Sequence, residues 1–327
     1  MRALEMTRPG GAEHSLVQDV EVPRPGPGEL AIDVAHAGVN FVDVMSRRGD
    51  AAYVPAWPYR AGKEVAGTVR ELGEGVSGFA VGDRVAAATT GGGFAEVALA
   101  SAAATVALPD GVDTATAAAV PLGLATALLL LTDAGRFEPG DTVLVHSAGG
   151  GIGGAIARLV PLLGGGTLIG TVGRPEKAAA ARGLGYHHAF ARGPELAEQV
   201  RAATGGRGVD LVLDPLGTEA LGLDLDLAVT GGRVVLFGNA GGGTLDPLPP
   251  AGRLLGANLT VTGFSHRVLL AADPARVARA QRRAFDLVAG HGLAVPVVEL
   301  PGLDAVPAVH DLLAAGRGEG KYVVRVG

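Results

Sequence analysis

The spacing of hydrophobic positions changes along the chain, and this change predicts two kinds of structure. Roughly the first hundred residues read as short β segments between glycine and proline turns, with alternating apolar positions over 29–36 and 64–69. An alanine- and leucine-rich stretch of helical length follows from Thr114 to Leu131. From Asp141 onward, strand-like and helix-like segments alternate regularly, which is typical of a parallel sheet.

The alternating segment is predicted to form one doubly wound domain. Its predicted strands are Thr142–His146, Thr167–Val172, Val209–Asp214, Arg233–Gly238 and Leu259–Gly263. The predicted helices between them include Gly153–Leu163 and Arg174–Leu184. Pro161 lies inside the first of these helices, where it removes a backbone hydrogen bond and is expected to shorten or kink the helix.

After Ser265 the pattern changes again, to two helices and two strands that end with Tyr322–Val326. We therefore predict an α/β protein with a β-rich domain over 1–118, which the tail 266–327 rejoins, and a cofactor domain over 119–265. The glycine- and proline-rich run 240–250 is interpreted as a loop beside the site, not as an interdomain linker.

Length and charge exclude several classes of partner. A chain of 327 residues is long enough for two ordinary domains. The net charge of -6 gives no basic face for nucleic acid. No continuous apolar run approaches the roughly 20 residues that span a bilayer, so no membrane partner is expected. The N-terminal residues lack the pattern of a secretory signal, which predicts a cytoplasmic protein.

The chain contains no cysteine. Disulfides, thiolate-bound zinc and a nucleophilic thiol are therefore excluded. The adjacent pair His187 and His188 has no shared-face spacing for a metal, so no metal ligands are predicted.

A glycine-rich turn directly follows the predicted strand Thr142–His146. Ala148, Gly150 and Gly153 match the spacing G-x-G-x-x-G with alanine at the first place, and Gly151 and Ile152 lie between them. Such a turn lets backbone N–H groups approach a pyrophosphate at a helix N-terminus. A purely structural glycine turn is the alternative interpretation.

The end of the second predicted strand favours NADPH over NADH. Enzymes that use NAD place an acidic residue about 20 positions past the turn, to bind the ribose 2′-hydroxyl. Gly173 occupies that place here, and the cationic side chains of Arg174 and Lys177 follow it. Arg192, after the next strand-like stretch, is a third candidate for a phosphate contact. The alternative is that these cations form an ordinary solvated helix face.

Five short segments resemble motifs of one enzyme family: AGVNFVD at 37–43, AGKEVAG at 61–67, VGDRV at 81–85, HSAGGGIG at 146–153 and FGN at 237–239. In these segments the chain resembles the medium-chain dehydrogenases/reductases, and within them the zeta-crystallin-like quinone oxidoreductases, over essentially its whole length. The resemblance implies a Rossmann doubly wound parallel sheet plus a GroES-like β-rich catalytic domain. It also implies a homodimer.

The zinc-dependent alcohol dehydrogenase branch is similar, but it has a cysteine near the position of Asn40 and a histidine where this chain has Lys63. Without a Lewis acid, a simple carbonyl loses several kcal/mol of stabilisation of the developing alkoxide. Quinones accept hydride without a metal because the product anion is delocalised, and conjugated enones or enoyl thioesters need only hydrogen bonds. These small-molecule acceptors are the predicted substrates.

The resemblance also implies roles for individual residues. Asn40 is expected near the nicotinamide ribose and the substrate oxygen, and Thr126 is expected to face the cofactor. Phe237, Gly238 and Asn239 would flank the nicotinamide. Lys321 would either reach the cofactor or form a surface ion pair.

Four residues are predicted to line the substrate pocket. Tyr53 is the candidate proton donor, with an exposed loop aromatic as the alternative interpretation. Met45 stands where the family's quinone reductases often carry tyrosine, and Phe264 and His266 follow the final strand of the doubly wound sheet.

Three functional hypotheses remain at this stage. The first is hydride transfer from NADPH to a quinone or other conjugated carbonyl acceptor. The second keeps the chemistry but moves the substrate to 2-enoyl thioesters or enones. The third is a weakly catalytic NADPH-binding regulatory protein.

Overall fold

The computed structural model describes residues 1–50, 53–242 and 244–327. The chain forms two compact units, the first made of 1–126 with 266–327 and the second of 127–265. The strands are β1 Arg2–Met6, β2 Ser15–Asp19, β3 Glu29–Val39, β4 Tyr59–Arg60, β5 Glu64–Leu72, β6 Arg84–Ala88, β7 Val97–Ser101, β8 Thr105–Ala107, β9 Thr142–Val145, β10 Thr167–Val172, β11 His188–Ala191, β12 Val209–Asp214, β13 Ala228–Leu236, β14 Thr260–Gly263, β15 Val297–Leu300 and β16 Lys321–Arg325.

Helices connect these strands. The α-helices are α1 Phe41–Arg48, α2 Thr114–Ala117, α3 Ala125–Leu129, α4 Gly151–Leu162, α5 Ala178–Gly183, α6 Leu196–Ala203, α7 Thr218–Leu227, α8 Ala251–Ala257, α9 His266–Ala272, α10 Pro274–Gly290 and α11 Val306–Ala314. Short 3-10 turns lie at Ala12–His14, Ala102–Ala104, Pro175–Lys177 and Leu303–Ala305. Wider π-type turns lie at Val120–Leu124 and Leu130–Ala134.

The first unit is built on β-sheets. One sheet has the order β15-β16-β3-β5-β6-β8, with β7 paired to β3, and a smaller one has the order β2-β1-β4. Buried side chains such as Leu4, Ile32 and Phe94 fill the core of this unit. The closing strand β16 runs antiparallel to β3, with Tyr322 opposite Val39. This pairing brings the start of β16 beside the end of β3.

The second unit is a six-stranded parallel sheet with the order β11-β10-β9-β12-β13-β14. Counted from β9, the strands stand in the order third, second, first, fourth, fifth, sixth, which is that of dinucleotide-binding folds. The order reverses at β9, and in open sheets of this kind ligands bind outside the carboxyl ends of the strands at that point. The predicted α/β class is confirmed.

Two element boundaries differ from the sequence prediction by four residues or more. β13 begins at Ala228 instead of Arg233, and its register with β12 shifts after the first pair. The cause is the glycine pair after Thr230, which reads as a turn in the sequence but is accommodated by the shift, with Gly231 at φ 82°. The predicted helix from Arg174 starts only at Ala178 as an α-helix, because Pro175 holds Arg174 extended at ψ 137°.

The prediction that no apolar run approaches membrane-spanning length was wrong. The 21-residue helical stretch Thr114–Ala134 is long and apolar enough to cross a membrane by those two criteria. The stretch contains four threonines and a proline, which break its apolar appearance in the sequence. Of its most apolar part, 78% is buried inside the fold. Such burial is typical of a core helix.

Candidate active site

The predicted glycine turn lies between β9 and α4 in the second unit. Gly150 is the N-cap of α4, and its amide donates to the Ser147 carbonyl at 3.0 Å. The amides of the next three residues, Gly151, Ile152 and Gly153, belong to the first turn of the helix, where a backbone N–H has no acceptor within the helix. This end of α4 therefore offers backbone donors and a positive dipole end to an anion.

Ala148 stands at the first glycine position of the motif. The residue with left-handed backbone conformation is the one before it, Ser147, so position 148 does not need glycine. Ser147 has φ 59°, whereas Ala148 is not among the residues with positive φ. Ala148 is fully buried, and its amide donates to the Thr171 carbonyl on β10 at 2.9 Å. A side chain of one carbon is therefore compatible with this position.

Gly153 is required for close packing. A Cβ atom at this position would lie 2.4 Å from the Ala148 carbonyl oxygen. Because the obstacle is backbone, no side-chain rotation relieves the clash. Gly153 thus holds α4 against the turn, which is the role of the third glycine in dinucleotide-binding turns.

The end of β10 carries no acid and is covered by an arginine. A Cβ atom built on Gly173 would lie 2.9 Å from Nη2 of Arg192, so the guanidinium extends over this glycine. Arg192 is exposed to solvent, and Arg174 and Lys177 are half-buried within the next four residues after Gly173. The structure therefore brings the cations predicted to bind the 2′-phosphate to one strand end.

Residues Phe237, Gly238 and Asn239 follow β13 at the carboxyl edge of the same sheet. The Phe237 amide donates to the Asp214 carbonyl at 2.8 Å. A Cβ atom on Gly238 would lie 2.7 Å from the Pro215 carbonyl oxygen, so only glycine fits there. All three residues are half-buried. The FGN segment thus lies against the loop after β12, at the edge where ligands bind in such sheets.

In the first unit, Asn40 is fixed by three hydrogen bonds of its side chain. Its Nδ2 donates to the Gly38 carbonyl at 3.2 Å and to Oε1 of Glu64 at 2.9 Å. Its Oδ1 accepts from Nζ of Lys321 at 2.7 Å. Both amide hydrogens are therefore engaged, and donation to a substrate oxygen would require one of these bonds to break.

Lys321 forms a buried ion pair and not the surface pair that the sequence allowed. Its Nζ donates to a carboxylate oxygen of Glu64, and the two side chains are 11% and 0% exposed. The same ammonium also donates to the Val39 carbonyl at 3.0 Å. Glu64 additionally accepts from the backbone amides of Leu122 and Gly123. The Glu64 carboxylate therefore links Asn40 to Lys321, the first residue of β16.

Asp43 holds the backbone of the Asn40 segment. It accepts from the amide of Asn40 at 2.9 Å and from that of Gly62 at 3.3 Å. Burial raises the pKa of Asp43 to about 6, against the opposing effects of the Asn40 amide and the Lys63 ammonium. Asp43 and Glu64 were not among the site residues predicted from the sequence. Each is the acidic residue of its motif, Asp43 in AGVNFVD and Glu64 in AGKEVAG, and this sequence feature could have identified both.

Tyr53 and Met45 differ in their accessibility. Tyr53 is half-buried, and the guanidinium carbon of Arg267 lies 6.0 Å from the centre of its ring. Burial raises the pKa of the Tyr53 phenol, with a smaller opposing effect from Arg267, so the phenol keeps its proton at neutral pH. Met45 is only 6% exposed within α1. Contact between Met45 and a substrate remains a prediction.

Two candidate residues in the first unit carry buried polar atoms without a hydrogen-bond partner among the described residues. These atoms are Oγ1 of Thr126 and Nε2 of His266. A buried polar atom without a partner is costly, so such atoms commonly meet a ligand or water. Burial lowers the pKa of His266 to about 4, which makes it a neutral hydrogen-bonding group. Phe264, the last predicted pocket residue, is half-buried in the second unit.

Lys63 occupies the place of the zinc-ligand histidine in the zinc branch, but its surroundings are those of a hydrogen-bond donor. Its Nζ donates to the hydroxyl of Tyr59 and to the Thr90 carbonyl at 2.6 Å. Burial lowers the pKa of Lys63, with an opposing effect from Asp43. The residues around Lys63 thus do not form a set of zinc ligands.

Comparison with known proteins identifies the class. The family model described as "Alcohol dehydrogenase GroES-like domain" matches residues 26–110, and "Zinc-binding dehydrogenase" matches residues 151–276. Rat quinone oxidoreductase is 35% identical over 250 residues, which is 76% of each chain. The 2-haloacrylate reductase of a Burkholderia species is 36% identical over 245 residues, which is 73% of each chain.

A solved structure agrees along the whole chain. Escherichia coli quinone oxidoreductase, complexed with NADPH, superposes with a TM-score of 0.89 at 28% identity and covers 99% of this chain and 100% of its own. The GroES-like and dinucleotide-binding parts together define a medium-chain dehydrogenase/reductase. Within that class, the chain belongs to the quinone oxidoreductase family.

Proposed function

We propose that this chain is a zinc-independent oxidoreductase that transfers hydride from NADPH to a quinone or another conjugated carbonyl acceptor. The observation that carries the proposal is the end of β10, where Gly173 stands in place of an acid and Arg192 extends over it. An acidic residue there would repel a 2′-phosphate, whereas a guanidinium binds it with charge-assisted hydrogen bonds.

The described residues fit an NADPH molecule at several points. The first-turn amides of α4 would bind the pyrophosphate, and Arg174, Lys177 and Arg192 would neutralise the 2′-phosphate. When bound, NADPH supplies the hydride. The buried hydroxyl of Thr126 has no hydrogen-bond partner in the described part of the chain and is available to a bound group. Phe237, Gly238 and Asn239 would flank the nicotinamide at the sheet edge.

The residues that correspond to the zinc branch do not suit zinc. The chain has no cysteine, and the side chains of Asn40 and Lys63 are engaged in hydrogen bonds within the first unit. Activation of the acceptor is thus left to neutral donors, which suffices for a quinone because the product anion is delocalised. Simple aldehydes and ketones are accordingly poor substrates in this proposal.

Tyr53 is the proposed proton donor to the reduced acceptor. Its raised pKa keeps the phenol protonated at neutral pH, and the cation near its ring would stabilise the phenolate after transfer. Asn40 is proposed to position the cofactor ribose and the acceptor from a fixed side chain. Met45, Phe264 and His266 are proposed to line the acceptor pocket.

The experiment is a panel of acceptors with NADPH oxidation followed at 340 nm. We expect turnover with quinones, and we expect aldehydes and simple ketones to be inert. Tight NADPH binding with no turnover of any quinone, enone or enoyl thioester would contradict the proposal. That outcome would favour the NADPH-binding regulatory protein instead.

Reduction of enones or enoyl thioesters is the second candidate. The similarity to 2-haloacrylate reductase, whose name denotes an activated alkene substrate, favours this candidate. The place of Tyr53 beside the guanidinium of Arg267 also favours it, because such a phenol can donate a proton. Protonation of the carbon centre requires a donor, so Tyr53→Phe is expected to depress kcat for enones by about 10²-fold or more with little change in KM. Quinone reduction should change little. The matched control is Tyr322→Phe, since the Tyr322 hydroxyl accepts a hydrogen bond from an exposed amide, that of Glu319.

We further propose a soluble, cytoplasmic homodimer. β14 is one of the two terminal strands of the parallel sheet, and a terminal strand is a common place for association of two sheets. Three leucines in the segment that precedes β14 in the sequence are exposed, namely Leu245, Leu248 and Leu255 at 50%, 58% and 79%. Exposed leucines in sequence proximity to an open edge favour a symmetric contact between two copies.

A further inference from the structure

A buried polar cluster lies in the second unit at the carboxyl ends of the parallel strands. His146 follows β9, Asp214 ends β12 and Asp224 belongs to α7, and none of these side chains has more than 1% exposure. Nε2 of His146 is 2.8 Å from Oδ1 of Asp224. One donor atom from each of the three residues falls within 4.8 Å of the others.

The outer atoms of this cluster are already held by neighbours. Nδ1 of His146 lies 2.7 Å from the hydroxyl of Thr171 on β10. Oδ1 of Asp214 accepts from the amide of Leu216 at 2.5 Å. Metal-binding histidines and carboxylates are oriented in this way by a second layer of hydrogen bonds. With Nδ1–H donated to Thr171, Nε2 is the nitrogen that is left to bind a cation.

The inner atoms of the cluster lack compensation. Oδ2 of Asp214 and Oδ2 of Asp224 are both buried, and neither accepts a hydrogen bond from a donor group of another described residue. Burial of two carboxylates beside one imidazole is costly unless positive charge is added. A dication would neutralise both carboxylates and satisfy both oxygens.

We propose that His146, Asp214 and Asp224 bind one divalent transition-metal ion. One imidazole nitrogen with carboxylate oxygens suits Zn²⁺ or Co²⁺, and the second oxygen of either carboxylate completes four ligands. The ion would have a structural role beside the glycine turn that starts at Ser147, and it takes no part in hydride transfer. The three ligands come from separate segments without metal-site spacing, which is why the sequence predicted no metal.

Cobalt is the probe that tests this site. Because the ligands are fully buried, the ion is expected to enter during folding. The full chain is unfolded in denaturant with a chelator, refolded with Co²⁺ and passed over a desalting column. We expect about one retained Co²⁺ per chain by elemental analysis, with visible absorption bands of Co²⁺ in an N/O site. Refolding with Zn²⁺ should raise Tm over refolding with the chelator.

Variants assign the ligands. Asp224→Asn is expected to lose Co²⁺ and its absorption, whereas Asp226→Asn, on the same helix with a side chain 62% exposed, should keep both. If Asp224→Asn does not refold, the proposal is tested by two wild-type measurements: the number of Co²⁺ ions per chain and the change in Tm with Zn²⁺. Refolded wild type without bound Co²⁺ and with the same Tm in Zn²⁺ and chelator would overturn the proposal. In that case a shared proton joins the two carboxylates. Equal loss of Co²⁺ in Asp226→Asn would overturn it too.

Discussion

Gly173 is the single position at which the coenzyme preference is most easily changed. Its Cα lies at the end of β10, close to the guanidinium of Arg192. Gly173→Asp introduces a carboxylate that would pair with Arg192 and repel a 2′-phosphate. We expect kcat/KM for NADPH to fall about 10- to 100-fold and that for NADH to rise, since a charge contact of this kind changes binding by about 1–3 kcal/mol.

The control for this change is Gly173→Asn, which has nearly the same size without the charge. Steady-state kinetics with both coenzymes and one quinone would compare the two variants. If Asn lowers the NADPH preference as much as Asp, the effect is steric, and the electrostatic explanation fails.

His310 on α11 makes the first unit sensitive to acid. It is fully buried, and neither ring nitrogen has a hydrogen-bond partner among the described residues. Burial, assisted by Arg47, lowers its pKa to about 3, whereas an unfolded histidine titrates near 6.5. Below about pH 6.5 the unfolded chain therefore binds a proton that the folded chain does not, so stability falls as the pH decreases.

His310→Leu removes this titration and should reduce the acid sensitivity. Between pH 7.5 and 5 the wild type should lose about 2 kcal/mol more free energy of unfolding than the variant. Denaturant titrations at both pH values measure this difference. The exposed His291 provides the control, because His291→Leu should leave the pH dependence unchanged. A parallel pH dependence of His310→Leu and wild type would contradict the assignment.

At this scale, the sequence predicted individual residues better than their partners. Gly173 and Asn40 were found because each is a position in a recognisable pattern. The pair of Glu64 and Lys321 was not found, since the two residues are 257 positions apart and meet only because β16 pairs with β3. Long-range contacts of this kind depend on topology, which local patterns do not encode.

Among the elements, the turn between β9 and α4 is the one most sensitive to substitution. In Gly153→Ala, the added carbon would lie 2.4 Å from the Ala148 carbonyl oxygen. We expect a loss of about 1–3 kcal/mol in free energy of unfolding and weaker NADPH binding, because α4 must shift away from the turn. Denaturant unfolding and a fluorescence titration with NADPH measure the two effects.

Gly222→Ala on α7 is the matched change in a helix. A Cβ atom there meets nothing within 4 Å, so helix propensity should stabilise the protein by about 0.5–1 kcal/mol, with unchanged NADPH binding. Equal effects of Gly153→Ala and Gly222→Ala would show that the packing argument for the turn is wrong.

The elements with the clearest periodicity were predicted correctly. The strands Thr167–Val172 and Val209–Asp214 match in both bounds, and α4 ends at Leu162, one residue after Pro161. The start of β13 was missed because a glycine pair inside a strand resembles a turn. The length of the apolar helical stretch Thr114–Ala134 was underestimated because threonines interrupt its apolar pattern. Both errors concern residues whose surroundings, not their types, decide the structure.

For the whole molecule, the proposed homodimer is tested at its exposed apolar surface. Leu255 on α8 is 79% exposed, and a charged residue there would oppose burial in a contact between two copies. Leu255→Arg is expected to shift the mass in light scattering from dimer toward monomer, with unchanged NADPH binding. Arg207→Ala, at a side chain that is 57% exposed and pairs with Asp210, is the control and should leave the mass unchanged. A wild-type monomer at micromolar concentration would contradict the dimer.

The architecture was accessible from sequence because the alternation of strands and helices allows few topologies. A parallel sheet with right-handed connections and a glycine turn after its first strand indicates the observed strand order. The boundary at 118 remains a prediction for the start of the cofactor domain. The helical segment from Thr114 crosses that position without a change of composition, so no local signal marks the division.

The most direct test of the account compares NADPH with NADH in one assay with a single quinone acceptor. The cationic end of β10, without an acid at Gly173, predicts that kcat/KM is at least about 10²-fold higher for NADPH, through a lower KM. Equal values of kcat/KM for the two coenzymes would contradict the claim that this strand end recognises a 2′-phosphate.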